Sequence, residues 1–240
     1  MAKPDSVELP GCAPIPILYE DRSVLAMDKP RGWMLVPVSW QKTARNLQAA
    51  LNSSIAASDF WARSRGIKFL RYVHRLDADT SGVLLCAKSR GALNTFADLF
   101  ESRKMEKAYL AVVAGEPKQS AWSCELKLAP DPRRIGRMQV DARHGKPAET
   151  HFRVLHCQEK FTLIEARPVT GRTHQIRVHL AEAGLPIVGD ELYAEIAGDR
   201  PLGLRAVRLV YADPFTRRRV SIQAPSERFL QEYGFDLPRM

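Results

Sequence analysis

The chain has 240 residues, 45% of them hydrophobic and 26% charged, with a formal net charge of +9 and a pI near 9.6. That balance belongs to a globular protein with one sizeable core, and it excludes a low-complexity or membrane-spanning helical chain, because no apolar run reaches bilayer length. The excess of cations favours a polyanionic partner, of which nucleic acid is the commonest.

Cys12, Cys86, Cys124 and Cys157 stand far apart with no Cys-x-x-Cys pair, which argues against a zinc knuckle or a redox couple. Such usage suits a reducing cytoplasm, and Cys86 and Cys157, in apolar strand-like runs, read as inert core thiols. The amino-terminal stretch lacks the apolar core of a secretory signal. It is Pro-rich, so residues 1–14 are expected to be a loose arm and 15–240 a single domain.

In chain order, ILYEDRSVLAMDKPRGWMLVP predicts two short strands about the turn Glu20-Asp21-Arg22-Ser23, stopped by Pro30 and Gly32. TARNLQAALNSSIAAS predicts a helix with Leu47 and Leu51 one turn apart. Val83 to Ala87 is a short apolar run of buried-strand type. Ser89 is placed to cap a helix with Leu93, Phe96, Ala97 and Phe100 on its apolar face. KAYLAVVAG is apolar on both alternating faces and predicts a central strand. Residues 115–147 read as loops and short strands rich in arginine, and THFRVLHC with FTLIEARP as a hairpin. RTHQIRVHLAEAG predicts a helix with Thr173 as its cap, Ile176, Leu180 and Ala183 facing in, and Gly184 as its stop. AVRLVY and RRVSIQAP close the strands, and SERFLQEYG forms a last short helix between Ser226 and Gly234. Strands outnumber helices and several are joined by hairpins. The expected class is therefore α+β, a largely antiparallel mixed sheet with flanking helices.

RYVHRLDADTSGVLLCAK carries the densest chemistry. Asp77-x-Asp79-x-Ser81-Gly82 opens like a calcium loop, but the twelfth position, which should be a bidentate Glu, is Lys88. Arg71 and Arg75 flank the acids and would compete with a divalent cation. A solvated Asp-x-x-Thr-Ser-Gly turn accounts for the stretch taken alone. Two further constellations, Lys107-Ala108-Tyr109 with Gly115 and Gly171-Arg172-Thr173-His174-Gln175-Ile176-Arg177-Val178-His179, argue against so plain a reading.

Together with His74-Arg75-Leu76-Asp77, Thr80-Ser81-Gly82 and Lys88, these segments resemble the RluA family of pseudouridine synthases. Sparser echoes are YED…DKPRG near the start, GKPAET at 145–150 and LPIVGDELY at 185–193, all in the family's order. A sister family, the RsuA-like enzymes, typically has Gly where this chain has His74. The chain departs from the pattern in leaving no room for an amino-terminal S4 RNA-binding domain, and in Val36-Pro37, where relatives often have His before Pro.

The resemblance implies the pseudouridine synthase catalytic fold and the isomerisation of a uridine in rRNA or tRNA, with no cofactor and no metal. It implies Asp77 as the essential ionised carboxylate, acting as a nucleophile at C1′ or a base at C2′. Burial raises a carboxyl pKa and a neighbouring cation lowers it. The resemblance supplies Arg177 as that cation, Tyr109 as the group against the flipped uracil, and Arg75 as the residue that holds the nucleotide out. It places His74, Thr80, Arg172, His174 and Gln175 at the substrate, with His174, Gln175 and His179 bracing the pocket through hydrogen bonds.

The basic cluster Arg133, Arg134, Arg137, Arg143 and Lys146, and the run Arg217-Arg218-Arg219, are candidates for phosphate contacts. RNA is the expected partner, with no membrane and no obligate protein partner, and the expected state is a monomer in the cytoplasm. Two rival readings are an RNA-binding module without catalysis and a metal-dependent hydrolase using Asp77 and Asp79.

Overall fold

The computed structural model describes residues 2–35, 45–195 and 199–235. The chain divides into two compact units, residues 1–105 with 209–224 and residues 106–208 with 225–240, where one domain over 15–240 was expected. The class is the expected α+β.

In the first unit, β1 (Ser6–Val7), β2 (Ile15–Glu20), β3 (Val24–Lys29) and β5 (Ser81–Ala87) pair in that order, each antiparallel to the next. The short β4 (Arg71–Tyr72) also pairs with β5. The β2–β3 turn closes because the Asp21 carboxylate accepts from the backbone N–H of Ser23 and Val24 at 2.7 and 2.8 Å. Every residue of β5 is buried, as a strand covered on both faces should be.

The described residues of this unit form helices α1 (Leu47–Ala56), capped by the Asn46 side chain, α2 (Phe60–Arg63), and α3 (Arg90–Glu101), capped by Ser89 as expected. Phe96 of α3 is fully buried against Val83, Leu85 and Tyr211. The start of the first predicted helix and the Val36-Pro37 departure lie outside the described residues.

The amino-terminal segment is not the loose arm expected. Val7 is 0% and Leu9 5% exposed, Ile17 donates to the Asp5 carbonyl at 2.8 Å, and the Arg65 guanidinium donates to the Pro4 carbonyl. The prolines end up beside a strand pairing that burial of Val7 and Ile15 holds in place.

In the second unit, β6 (Glu106–Ala114), β12 (Phe161–Pro168), β11 (Thr150–Cys157) and β7 (Ala121–Cys124) pair antiparallel in that order. A small separate sheet joins β10 (Lys146–Pro147), β8 (Lys127–Pro130) and β9 (Met138–Val140). Helix α4 (Gln175–Glu182) packs Ile176 and Leu180 against Ala111, Ile164 and Ala166. Helix α5 (Glu227–Glu232) puts Phe229 and Leu230 against Leu110, Val112 and Leu163. Strand β13 (Leu204–Ala212) carries residues of both units, and β14 (Arg219–Gln223) pairs with it.

Cys86 is buried, its thiol pushed up to about 12 by loss of solvent, whereas Cys157, expected in the core, is exposed at the end of β11. Among the described residues no helix is long and apolar enough to cross a membrane.

Phe96→Ala removes a fully buried ring from the first unit's core. The expected cost is about 3–5 kcal/mol, read as a fall in the urea midpoint with an unchanged slope.

Candidate active site

The Asp77 segment leaves β4, turns and enters β5. Its turn is closed by Thr80 N–H donating to the Asp77 carbonyl at 3.2 Å. Asp77 is half-buried and Arg75 exposed. Beneath the turn lies Lys29, the last residue of β3, which is 0% exposed. Its ammonium donates to the carbonyls of Ala78 at 2.7 Å, Thr80 at 2.9 Å and Pro30 at 3.0 Å. An ammonium has three donors and no acceptor, so three carbonyls satisfy it fully. Burial pushes the Lys29 pKa down to about 8, while the carboxylates of Asp79 and Asp77 work to hold its proton.

Gly32 N–H donates to the same Ala78 carbonyl at 2.9 Å, and its φ of +76° is the left-handed geometry that the Pro30-Arg31-Gly32 turn requires. On the other side, His74 Nε2 accepts from Leu85 N–H at 3.1 Å, and its ring stacks on Phe100 at 4.7 Å. His74 thus ties the segment to β5 and to α3. The Thr80 side chain is 2% exposed, and its hydroxyl finds no hydrogen-bond partner among the described residues.

In the second unit the chemistry gathers at the start of α4. His174, not Thr173, stands at the helix N-cap, in a left-handed conformation with φ of 54°. Gln175 is 4% exposed and saturated: its carbonyl accepts from the Thr170 hydroxyl at 2.6 Å and Arg172 N–H at 2.9 Å. Its amide donates to the Glu149 carbonyl and the Thr150 hydroxyl, both at 2.9 Å. Thr150 also meets His179 Nδ1 at 3.1 Å, and burial pushes the His179 pKa down, so the imidazole stays neutral. Gln175 and His179 thus share Thr150 as a hydrogen-bond partner. Arg172 is held through its Nε to the Pro147 carbonyl at 3.0 Å.

Arg177 is 7% exposed, deeper than the edge-of-face position its helical spacing suggests. Its Nε and Nη2 form a bidentate pair with Asp190 at 2.8 Å each, and Asp190 is 0% exposed. Asp190 also accepts from the N–H of Leu192 and Tyr193 at 3.0 and 3.2 Å, which fixes the carboxylate. The Tyr193 ring lies 5.2 Å from the Arg177 guanidinium and 5.3 Å from that of Arg137. Its hydroxyl accepts from Met138 N–H and meets His174 Nδ1, each at 2.8 Å, and burial raises its pKa to about 12, keeping it a neutral phenol.

Tyr109, on β6 opposite Ala166, is partly buried and packs against the cluster that includes Ile164, Ala166 and Ile176. Two residues before it, Lys107 donates to the Thr170 carbonyl at 3.0 Å, the residue whose hydroxyl serves Gln175. In the arginine-rich insertion, Arg133 and Arg134 are exposed between β8 and β9. Arg137 is not available in the same way, because it pairs with Asp131 at 3.1 Å and donates to the Leu192 carbonyl.

Lys29, Asp190 and Tyr193 were missed as individual residues. The signal was present in the DKPRG and LPIVGDELY segments, but nothing in either stretch says that the lysine turns inward or that the aspartate meets a helix thirteen residues before it.

Asp190→Asn takes a buried countercharge away from the Arg177 guanidinium. Breaking a buried pair from one side costs about 3–5 kcal/mol, measured by urea unfolding, and the neutral Asn is too close in shape for a cavity to explain the loss.

The sequence model of the family described as RNA pseudouridylate synthase matches residues 23–182. The chain is 35% identical over 227 residues to the ribosomal large subunit pseudouridine synthase C of Vibrio cholerae, covering 90% of this chain and 67% of that one. It is 36% identical to the corresponding synthase D of Borreliella burgdorferi, over 79% of this chain and 57% of the relative. Among solved structures, human RNA pseudouridylate synthase domain containing 1 aligns with a TM-score of 0.69 at 25% identity, over 91% of this chain and 86% of that one. Human RNA pseudouridylate synthase domain containing 4, at 22% identity and a TM-score of 0.74, shares the fold. With the motif order already described, these matches make the chain a member of the RNA pseudouridylate synthase family, an isomerase that acts on uridine in RNA.

Proposed function

We propose that the chain isomerises a uridine of ribosomal RNA, with Asp77 as the reacting carboxylate. Support for the substrate comes from relatives that are ribosomal large subunit synthases. Support for Asp77 comes from the Lys29 cradle, which spends a buried charge on holding one short loop.

The N1–C1′ bond of the uridine breaks, the uracil turns, and C5 bonds to C1′ while the C5 hydrogen leaves as a proton and N1 gains one. The carboxylate acts at the sugar, at C1′ or on the C2′ hydrogen. Tyr109 is assigned to the face of the flipped uracil. Arg177 is assigned as the cation that favours an ionised Asp77, with Asp190 setting its plane. Arg75, exposed two residues before Asp77, is assigned to hold the nucleotide out of its stack, and His74 and Thr80 to shape the loop. Arg172, His174 and Gln175 brace the start of α4, and Arg133 and Arg134 take phosphates of the RNA. Extruding the base costs a few kcal/mol, least at an unpaired uridine, which phosphate contacts offset. The enzyme is assigned to the cytoplasm as a monomer.

Uridine-specific turnover is read by tritium release from RNA labelled at uracil C5. The native chain is expected to release tritium to water and Asp77→Asn to release none, while RNA binding is largely kept. Turnover by Asp77→Asn would remove it from the reaction.

Lys29 gives a pH dependence of known sign. Between about 8, its pKa in the fold, and 10.5, its ordinary value, the unfolded chain holds the proton and the native chain does not. Stability therefore rises with pH across that window, as the cost of the buried charge is relieved. The loop, by contrast, loses a donor and leaves one carbonyl facing a lone pair. The expected result is a rate that falls through about pH 8 with no loss of thermal stability, and Lys29→Met abolishes that limb at a lower plateau rate.

A further inference from the structure

The first unit holds a second cationic feature, at the end of β5 opposite the Asp77 loop. A cavity of about 560 Å³ opens there, with Lys3, Arg22 and Lys68 at its rim and Glu20, Arg65 and Lys88 at its floor. At about 3.3 Å per residue along β5, it lies roughly 20 Å from the turn that carries Asp77.

The floor is built. Glu20 is gripped by Lys88 Nζ at 2.6 Å and Arg65 Nε at 2.8 Å, and these contacts hold its carboxyl below the usual range against the opposing effect of burial. Lys88 also donates to the Asp21 carbonyl at 2.7 Å, and Arg65 to the carbonyls of Trp61 and Pro4. Two cations on one carboxylate leave the floor net positive. The other acid, Asp21, is turned inward: its oxygens accept from Ser23 N–H, Val24 N–H and the Tyr19 hydroxyl.

The rim is different. Lys3, Arg22 and Lys68 are exposed, and among the described residues none has an ion-pair partner. Lys3 is held at the rim because the segment behind it is anchored through Pro4, Asp5 and Val7. The β13–β14 turn stands at the same end, since Tyr19 is within electrostatic reach of Asp213. That turn adds exposed Arg217 and Arg218, and Phe215, 57% exposed, offers a ring face. Unpaired cations with an exposed aromatic are the composition of a backbone-tracking, base-stacking RNA surface.

We infer that this cavity, lined at its rim by Lys3, Arg22 and Lys68, seats backbone phosphates of the RNA substrate at a point remote from the reacting uridine. The inference rests on the reading that the chain acts on RNA. Its phosphates touch the rim, while the Glu20 triad keeps the cavity open and positive. RNA long enough to reach both places gains affinity that a short stem around the target uridine does not.

The experiment compares the full chain with the triple variant Lys3→Gln, Arg22→Gln, Lys68→Gln, and with a control that removes the same charge at exposed Lys118, Lys160 and Arg228. Binding of a ribosomal RNA fragment is titrated over a salt series. The rim variant is expected to bind about tenfold more weakly near 0.1 M salt, with the log–log salt slope flattened by about 2, because each lost single-strand contact removes about 0.7. The control is expected to change less than about twofold. An unchanged slope in the rim variant, or an equal loss in the control, overturns the inference. So does a rim variant that binds RNA normally but loses thermal stabilisation by orthophosphate, which marks a small-anion site. Tritium release by the native chain is scored separately, so absence of isomerisation with an intact rim effect sinks the catalytic reading and leaves this one standing.

Discussion

A lysine ammonium sealed from water has to find acceptors, and in this fold Lys29 is satisfied by three carbonyls on two neighbouring turns. Two of them, Ala78 and Thr80, belong to the segment that carries Asp77. The strand position of the lysine is set by the pairing of β3 with β5, in which Lys29 stands opposite Gly82. A residue of the sheet core thereby holds a loop whose own composition, Asp-Ala-Asp-Thr-Ser-Gly, favours a turn but does not say where that turn is anchored. The charge that does this is costly to bury, and Asp77 and Asp79 offset part of that cost.

The second unit solves a similar problem with side chains in place of carbonyls. Gln175 uses every hydrogen-bonding position it has, and Arg177 presents two of its nitrogens to Asp190. A bidentate fork fixes the plane of the guanidinium, and Tyr193 lies against it at cation–π distance. A lysine at this place would keep the charge and lose the plane. The left-handed His174 lets the chain enter α4 sharply, so that Arg172, His174, Gln175 and Arg177 arrive within two turns of backbone.

Much of this was legible in the residues. The strand alternation of THFRVLHC and FTLIEARP, the Ser89 cap and the apolar run before Lys88 each follow from local rules, and each appears as expected. Asp77, Tyr109 and Arg177 were marked by the order of their motifs, not by anything in their local physics. What was not legible depends on contacts distant in sequence. Nothing in the DKPRG stretch tells that Ala78 and Thr80, forty-nine and fifty-one residues after Lys29, are brought over it. Arg177 reads as a helix charge until Asp190 closes on it. The amino-terminal prolines suggested a mobile arm, but two apolar side chains, Val7 and Leu9, were enough to seat it. Cys157 stood in an apolar run yet fell at the strand's last exposed position.

The stack of His74 on Phe100 gives helix α3 a hold on the loop that carries Asp77. Phe100 sits in the helix's last turn and backs the imidazole that receives the Leu85 amide, so the helix serves as a buttress for the strand's mouth. Loosening that buttress would be felt in the loop that carries Asp77, which His74 ties to β5. A change at Phe100 therefore reaches the Asp77 loop through a ring contact, whereas a change at Phe96 in the same helix reaches the core of the unit.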